Sequence, residues 1–137
     1  MTNTQNLISY CVNESVTPEQ YIDLLSKTTL GARRPLHNIE CINAMLKHAN
    51  LIVTAWMDNE LVGLSRSLTD YHYCCYLSDL AVSEKVQKMG IGTKLIEVTT
   101  EQLKPGCKII LLSAPQAVDY YPKLGFDLHP SAWVKQV

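Results

Sequence analysis

Apolar positions along the chain change period several times, and each change marks an element. Leu7 to Val12 reads as a strand. Thr17-Pro18-Glu19-Gln20 has the form of a capping box, with a hydroxyl cap, proline at the first helical position and Gln three residues after the cap. Tyr21, Leu24, Leu25 and Thr28 follow at helical spacing, with Gly31 as the stop. Ile39 to Ala49 repeats the pattern through Ile42, Leu46 and Ala49. Two apolar, β-branched runs then follow, Leu51 to Met57 and Leu61 to Leu68. They flank Asp58-Asn59-Glu60, so a hairpin is expected. Tyr73 to Val82 is a third long run, leading into Ser83 to Gly92 and then Leu95, Ile96 and Thr99 at helical spacing as far as Leu103. That order is strand, glycine-bearing loop, helix. Pro105-Gly106 breaks the helix. Lys108 to Ser113 reads as a buried strand, Pro115 to Leu124 as a helix before Gly125-Phe126, and Ala132 to Val137 as a last strand. The elements predict an α/β (α+β) sandwich around a mixed sheet.

Composition narrows the function classes. The chain's 137 residues suit a single domain over residues 1–137, and 47% hydrophobic against 18% charged residues is enough apolar surface to fold on. With 12 Lys plus Arg against 13 Asp plus Glu, the net charge of -1 supplies no field for gathering nucleic acid or anionic lipid, and neither is an expected partner. Five cysteines, odd in number and without a C-x-x-C, suggest neither a disulfide framework nor a common zinc pattern, and a reducing compartment fits best. The polar start Met1 to Leu7 lacks the character of a signal peptide, and no apolar run approaches the roughly 20 residues that span a bilayer. The expected location is cytoplasmic. Four histidines show no H-x-x-x-H or H-E-x-x-H spacing, so no metal is expected.

The loop after the Tyr73 to Val82 strand carries the candidate chemistry. A helix start exposes unpaired N–H groups at the positive end of the helix dipole, and glycines let a ligand approach that backbone without meeting a Cβ. Gly90 and Gly92 stand where phosphates would dock. Walker and dinucleotide fingerprints fit worse: no G-K-[ST] follows a four-residue spacer, and Leu95 stands where the third dinucleotide glycine belongs.

The segment from Leu80-Ala81-Val82 through Gln87-Lys88-Met89-Gly90-Ile91-Gly92-Thr93 resembles the acetyl-CoA signature of the GNAT superfamily of N-acetyltransferases. Tyr120-Tyr121-Pro122-Lys123-Leu124-Gly125-Phe126 resembles the family's second signature, aromatic-Tyr-x-Lys-x-Gly-Phe. The resemblance covers about Leu51 to Phe126. It implies a GNAT-like mixed, mostly antiparallel sheet of about six to seven strands, splayed between strands 4 and 5 and flanked by about four helices. It implies acetyl-CoA as co-substrate, with the backbone of Leu80, Ala81 and Val82 pairing with the pantetheine arm. The diphosphate would accept N–H bonds from Gln87, Lys88, Met89, Gly90, Ile91 and Gly92 and from Thr93, whose hydroxyl could add another bond. Lys88 would add a screened attraction.

Tyr121 matches the family tyrosine that commonly protonates the departing thiolate, and a phenol keeps its proton at neutral pH yet donates it over a short hydrogen bond. Tyr120 reads as a packing ring. Positions where some relatives place a carboxylate or histidine base hold Tyr76 and Ser78 here, and neither is a good base; both are candidate acceptor contacts. Asp79 alternates to the other face unless a bulge turns it back. Ser78-Asp79 also resembles the acidic pair of amino-sugar-phosphate acetyltransferases, which makes Asp79 a candidate for holding the amine. The competing reading has it hold a loop or an arginine. Ala114 stands where many relatives carry an Asn near the coenzyme. Cys74-Cys75 could suggest a thiol nucleophile, but cysteine is a small, often buried residue, so a covalent route is disfavoured.

On the acceptor side, Arg33 and Arg34 lie in the connection after the first helix that the family commonly uses to border the acceptor groove. They either bind an acidic acceptor or complement the helix end in solvent. Tyr71, His72 and Tyr73 either line the groove or cover it. The expected function is transfer of an acetyl group from acetyl-CoA to a primary amine of a small molecule or peptide in a ternary complex, by a monomer or homodimer. The alternative is a catalytically silent coenzyme A binding module.

Overall fold

A computed structural model describes residues 7–137. The polar segment Met1 to Leu7, read above as no leader, lies outside the described residues apart from Leu7. The elements run β1 (Ser9–Val12), α1 (Pro18–Ser26), α2 (Ile39–His48), β2 (Leu51–Met57), β3 (Glu60–Thr69), β4 (Cys74–Val82), α3 (Ile91–Glu101) and β5 (Lys108–Ile110). The strands form one sheet in the order β1-β2-β3-β4-β5, antiparallel except for the parallel pair β4-β5.

Local chemistry accounts for most boundaries. The Thr17 side chain accepts from the Gln20 amide at 3.1 Å while the Gln20 side chain accepts from the Thr17 amide at 2.9 Å, closing the expected capping box. Asp58 and Asn59 both take positive φ, the conformation that a two-residue hairpin turn demands and that these residues tolerate. Met57 then pairs with Glu60.

Two apolar layers cover the sheet. Tyr21, Leu24, Leu25 and Ile42 from α1 and α2 pack on Ile52, Leu61, Leu64 and Ala81. On the opposite face, Ile91 and Leu95 of α3 pack on Leu51, Val53, Ala55 and Val62. Gly63 allows this helix to lie close, since a Cβ there would come within 2.9 Å of the Ile91 Cγ2 and 3.2 Å of the Leu95 Cδ1. A buried hydrogen bond of 2.8 Å between the Ser65 and Thr99 hydroxyls ties α3 to β3.

The sheet of about six to seven strands and the four helices implied by the resemblance are corrected to five strands and three α-helices among the described residues. Pro115 to Leu124 forms two short 3-10 turns, Pro115–Ala117 and Tyr121–Leu124, because Pro122 withholds the amide that a continuous helix needs. Lys108 to Ser113 is a strand only to Ile110. Ala132 to Val137 forms no strand, and Trp133 is 94% exposed. A strand needs a neighbour to satisfy its amides, and only three residues of β5 are in the ladder.

One irregularity shapes the site. Arg66 pairs with Asp79 and Ser67 with Leu77, so Ser78 is an extra residue in β4. This bulge reverses the alternation and places Asp79 on the same face as Tyr76, the face covered by α1 and α2.

Candidate active site

Pairing between β4 and β5 ends at Tyr76 and Ile110, so Leu77 to Val82 have β3 on one side and no strand on the other. β5 itself ends there, which leaves β4 an open edge at the place where the resemblance implies a splay. At the end of this open edge the chain turns through Glu84–Val86 and reaches Gly90, which caps α3 at φ 76° without a side-chain hydrogen bond. Lys88 is also left-handed, at φ 69°. Among the described residues, the main-chain amides of Gly90, Ile91, Gly92 and Thr93 have no backbone acceptor; the first bond into α3 is from the Lys94 amide to the Gly90 carbonyl. These amides stand at the start of an 11-residue helix, whose dipole adds positive potential there.

A cavity of about 350 Å3 lies over these amides, walled by β4 through Leu80 and Val82, by the loop and α3 start, and by Ala117, Tyr120 and Tyr121. Tyr120 closes over the helix start so tightly that a Cβ on Gly92 would run into its hydroxyl. The Tyr121 ring is half-buried, edge-on to Tyr120 at 5.3 Å and to Phe126 at 5.5 Å. Burial, and next the neighbouring Tyr120, push the Tyr121 phenol above its ordinary range, so it holds its proton at neutral pH. This leaves a proton donor and a row of free amides around one cavity.

The structure thus gathers Leu80, Val82, Gln87, Lys88, Gly90, Ile91, Gly92, Thr93 and Tyr121 around that cavity. The Ala81 side chain faces the α1-α2 layer instead, and Met89 is exposed outside the cavity wall. Sequence reading missed Val86 and Ala117 and took Tyr120 for a packing ring rather than a cover on the helix start.

Asp79 stands apart from the cavity. One carboxylate oxygen accepts from Arg34 Nε at 2.7 Å; the other accepts from Arg66 Nε at 2.6 Å and from the Tyr21 hydroxyl at 2.7 Å. Burial alone would raise its pKa, but the bond and charge of Arg66, then Tyr21 and Arg34, outweigh it and hold the carboxyl below its usual range. Burial, and next Asp79, push the Tyr21 phenol far up. Both oxygens of this buried carboxylate already accept from arginine or tyrosine donors, and a carboxyl held below its usual range is a weak base, which supports the competing reading of Asp79 as the holder of an arginine over the catalytic one.

Arg34 is likewise engaged, its Nη2 donating to the Ser78 carbonyl at 2.7 Å, and the Ser78 hydroxyl accepts from Arg66 Nη2 at 2.9 Å. The acceptor-binding readings of Arg34 and Ser78 give way to roles inside this cluster. Arg33 is exposed, with its carbonyl accepting from Arg34 Nη1. Tyr76 is partly exposed beside the cluster. Arg66 and Tyr21 were missed. The available signal was an arginine inside a strand that reads as apolar throughout, since a buried guanidinium requires a carboxylate.

Asp70 accepts three main-chain N–H bonds, from His72, Tyr73 and Cys74, and so orders the turn before β4. The Tyr71 hydroxyl donates to the Asn50 carbonyl at 2.7 Å, a bracing contact. Burial raises the Cys75 thiol, opposite to what a nucleophile needs. Among the described residues no three His, Cys, Asp or Glu side chains converge on a metal position, and no helix is long and apolar enough to cross a membrane.

The family model described as an acetyltransferase (GNAT) domain matches residues 17–135. The chain therefore belongs to the GNAT acetyltransferase family and is classed as an acyltransferase. It is 26% identical over 136 residues to an uncharacterized N-acetyltransferase, ycf52, of Porphyra purpurea, covering 95% of this chain and 71% of that protein. A chloroplastic GCN5-related N-acetyltransferase 2 of Arabidopsis thaliana is 29% identical over 75 residues, covering 53% of this chain and 29% of the relative. Among solved structures, a GNAT family acetyltransferase of Streptococcus pneumoniae superposes with a TM-score of 0.73 at 23% identity, covering 96% of this chain and 100% of the other. An aminoglycoside acetyltransferase from an uncultured soil metagenomic sample does so with 0.71 at 20% identity, covering 96% and 97%. At these identities the structures establish a shared fold.

Proposed function

We propose that the protein transfers the acetyl group of acetyl-CoA to a primary amine by direct attack in a ternary complex. The observation that carries this reading is the convergence of an open strand edge, a helix start with unpaired amides and a proton-holding phenol on one cavity. The amides of Gly90, Ile91, Gly92 and Thr93 hold the diphosphate, and the glycines keep side chains out of its path. Main-chain groups along Leu80, Ala81 and Val82 pair with the pantetheine amides as a neighbouring strand would and hold the thioester in the split. The uncharged amine attacks the thioester carbon; the carbon–sulfur bond breaks, and Tyr121 donates its proton to the departing thiolate. Ordered water accepts the proton that the amine loses, since the nearby carboxylate is committed to two arginines. The five free thiols fit the reducing cytoplasm of the sequence reading. The chloroplast named for the Arabidopsis relative is that protein's address.

The test is amine-dependent release of free thiol with acetyl-CoA present. Tyr121→Phe is expected to lower kcat by roughly 10²-fold or more while the KM for acetyl-CoA holds. An unchanged kcat removes the acid role from Tyr121. Release by no amine, with the nucleotide still bound, overturns the transferase reading in favour of a silent coenzyme A module.

A further inference from the structure

Three exposed apolar side chains stand in one row across the sheet. Leu68 of β3 pairs with Tyr76 of β4, and Tyr76 pairs with Ile110 of β5. They are 42%, 40% and 51% exposed, although Leu64 and Ala81 on the same face are buried under the helical layer. The row is the last rung before β5 ends, and the bulge at Ser78 separates it from Asp79. An acceptor resting on it would therefore sit at the mouth of the split that the proposed function assigns to the thioester.

Charge restricts what can rest there. Beside the row lie Arg34 and Arg66 with the single anion Asp79, an excess of one positive charge. Lys108, two residues before Ile110 on the same face, adds another cation, its Nζ 5.2 Å from the centre of the Tyr73 ring. The Asp70 carboxylate, at the start of β4, is turned onto three main-chain amides. A polycation would meet net repulsion and no uncommitted carboxylate among these groups. An amine with one aliphatic or aromatic group would cover apolar surface and bring no second charge.

We infer that the acceptor is a primary monoamine bearing an aliphatic or aromatic group, seated on the row Leu68, Tyr76 and Ile110. This rests on the transferase reading and names the acceptor class for that same site. The experiment measures thiol release with 2-phenylethylamine and hexylamine against spermidine and kanamycin. The two monoamines are expected to show kcat/KM at least about tenfold higher than the polycations. Leu68→Gln and Ile110→Ser, both at exposed positions, are expected to raise the KM for 2-phenylethylamine roughly tenfold while the KM for acetyl-CoA stays put. Faster turnover of spermidine or kanamycin, or unchanged amine KM in both variants, overturns this inference and leaves the transferase reading standing. Silence toward all four amines with acetyl-CoA bound overturns this inference, and only silence toward every class of amine removes the transferase reading as well.

Discussion

At the residue scale, Asp79 is the most consequential side chain outside the cavity. It holds Arg34 from the α1-α2 connection, Arg66 from β3 and Tyr21 from α1, so one carboxylate joins three segments distant in sequence. Asp79→Asn keeps the size but leaves two guanidinium groups facing a neutral amide. The expected loss is about 3 to 5 kcal/mol, read as a lower urea midpoint. Because the folded pKa is depressed, this contribution is fully present above the ordinary carboxylate range and is lost as pH falls through the lower folded value. Acid unfolding curves should show that loss in the parent and a flatter acid limb in Asp79→Asn. Tyr121 has the opposite sense. Its raised pKa keeps the acid form through neutral and mildly alkaline pH, so kcat should decline only above the ordinary phenol range, and Tyr121→Phe should lack that decline. Gly90 and Gly92 stood out in the sequence because a helix start that admits a ligand to its backbone favours glycine, and Tyr121 stood out through the resemblance of Tyr120 to Phe126 to a family signature. The neutralisation of Asp79 was not, since its partners lie 13, 45 and 58 positions away.

At the element scale, α3 and the loop before it make the candidate site. Gly90 occupies a left-handed cap and Gly92 lies under the Tyr120 hydroxyl, so the same two residues serve the turn and the close approach of the cover. Gly92→Ala should keep the fold, because only the far end of the Tyr120 side chain must give way. It should raise the KM for acetyl-CoA by about tenfold, equivalent to about 1.4 kcal/mol, with little change in Tm. An unchanged KM would show that Tyr120 does not border the nucleotide. The β4 bulge is the element-scale decision that alternation leaves open: without it, Asp79 would face α3 rather than α1. The end of the chain shows the reverse case. Ala132 to Val137 read as a strand, yet these residues find no partner in the sheet and stay exposed to solvent.

At the scale of the whole molecule, the open edge, the helix start and the tyrosine cover belong to three stretches held together by the two apolar layers. A ligand that bridges them should stabilise the fold by linkage. Acetyl-CoA at about 100 times its Kd should add about 2.7 kcal/mol and raise Tm by roughly 9 °C, with a logarithmic dependence on concentration. A Tm that ignores the nucleotide would count against the cavity as its site. The sequence by itself determined the period of each main element, the capping box, the hairpin turn and the glycine-bearing helix start, because each depends on residues within a few positions of one another. Only the tertiary structure decided where β5 ends beside β4, which face Asp79 takes, and that its charge is already matched. Those outcomes depend on register and on partners far along the chain, which local pattern does not encode.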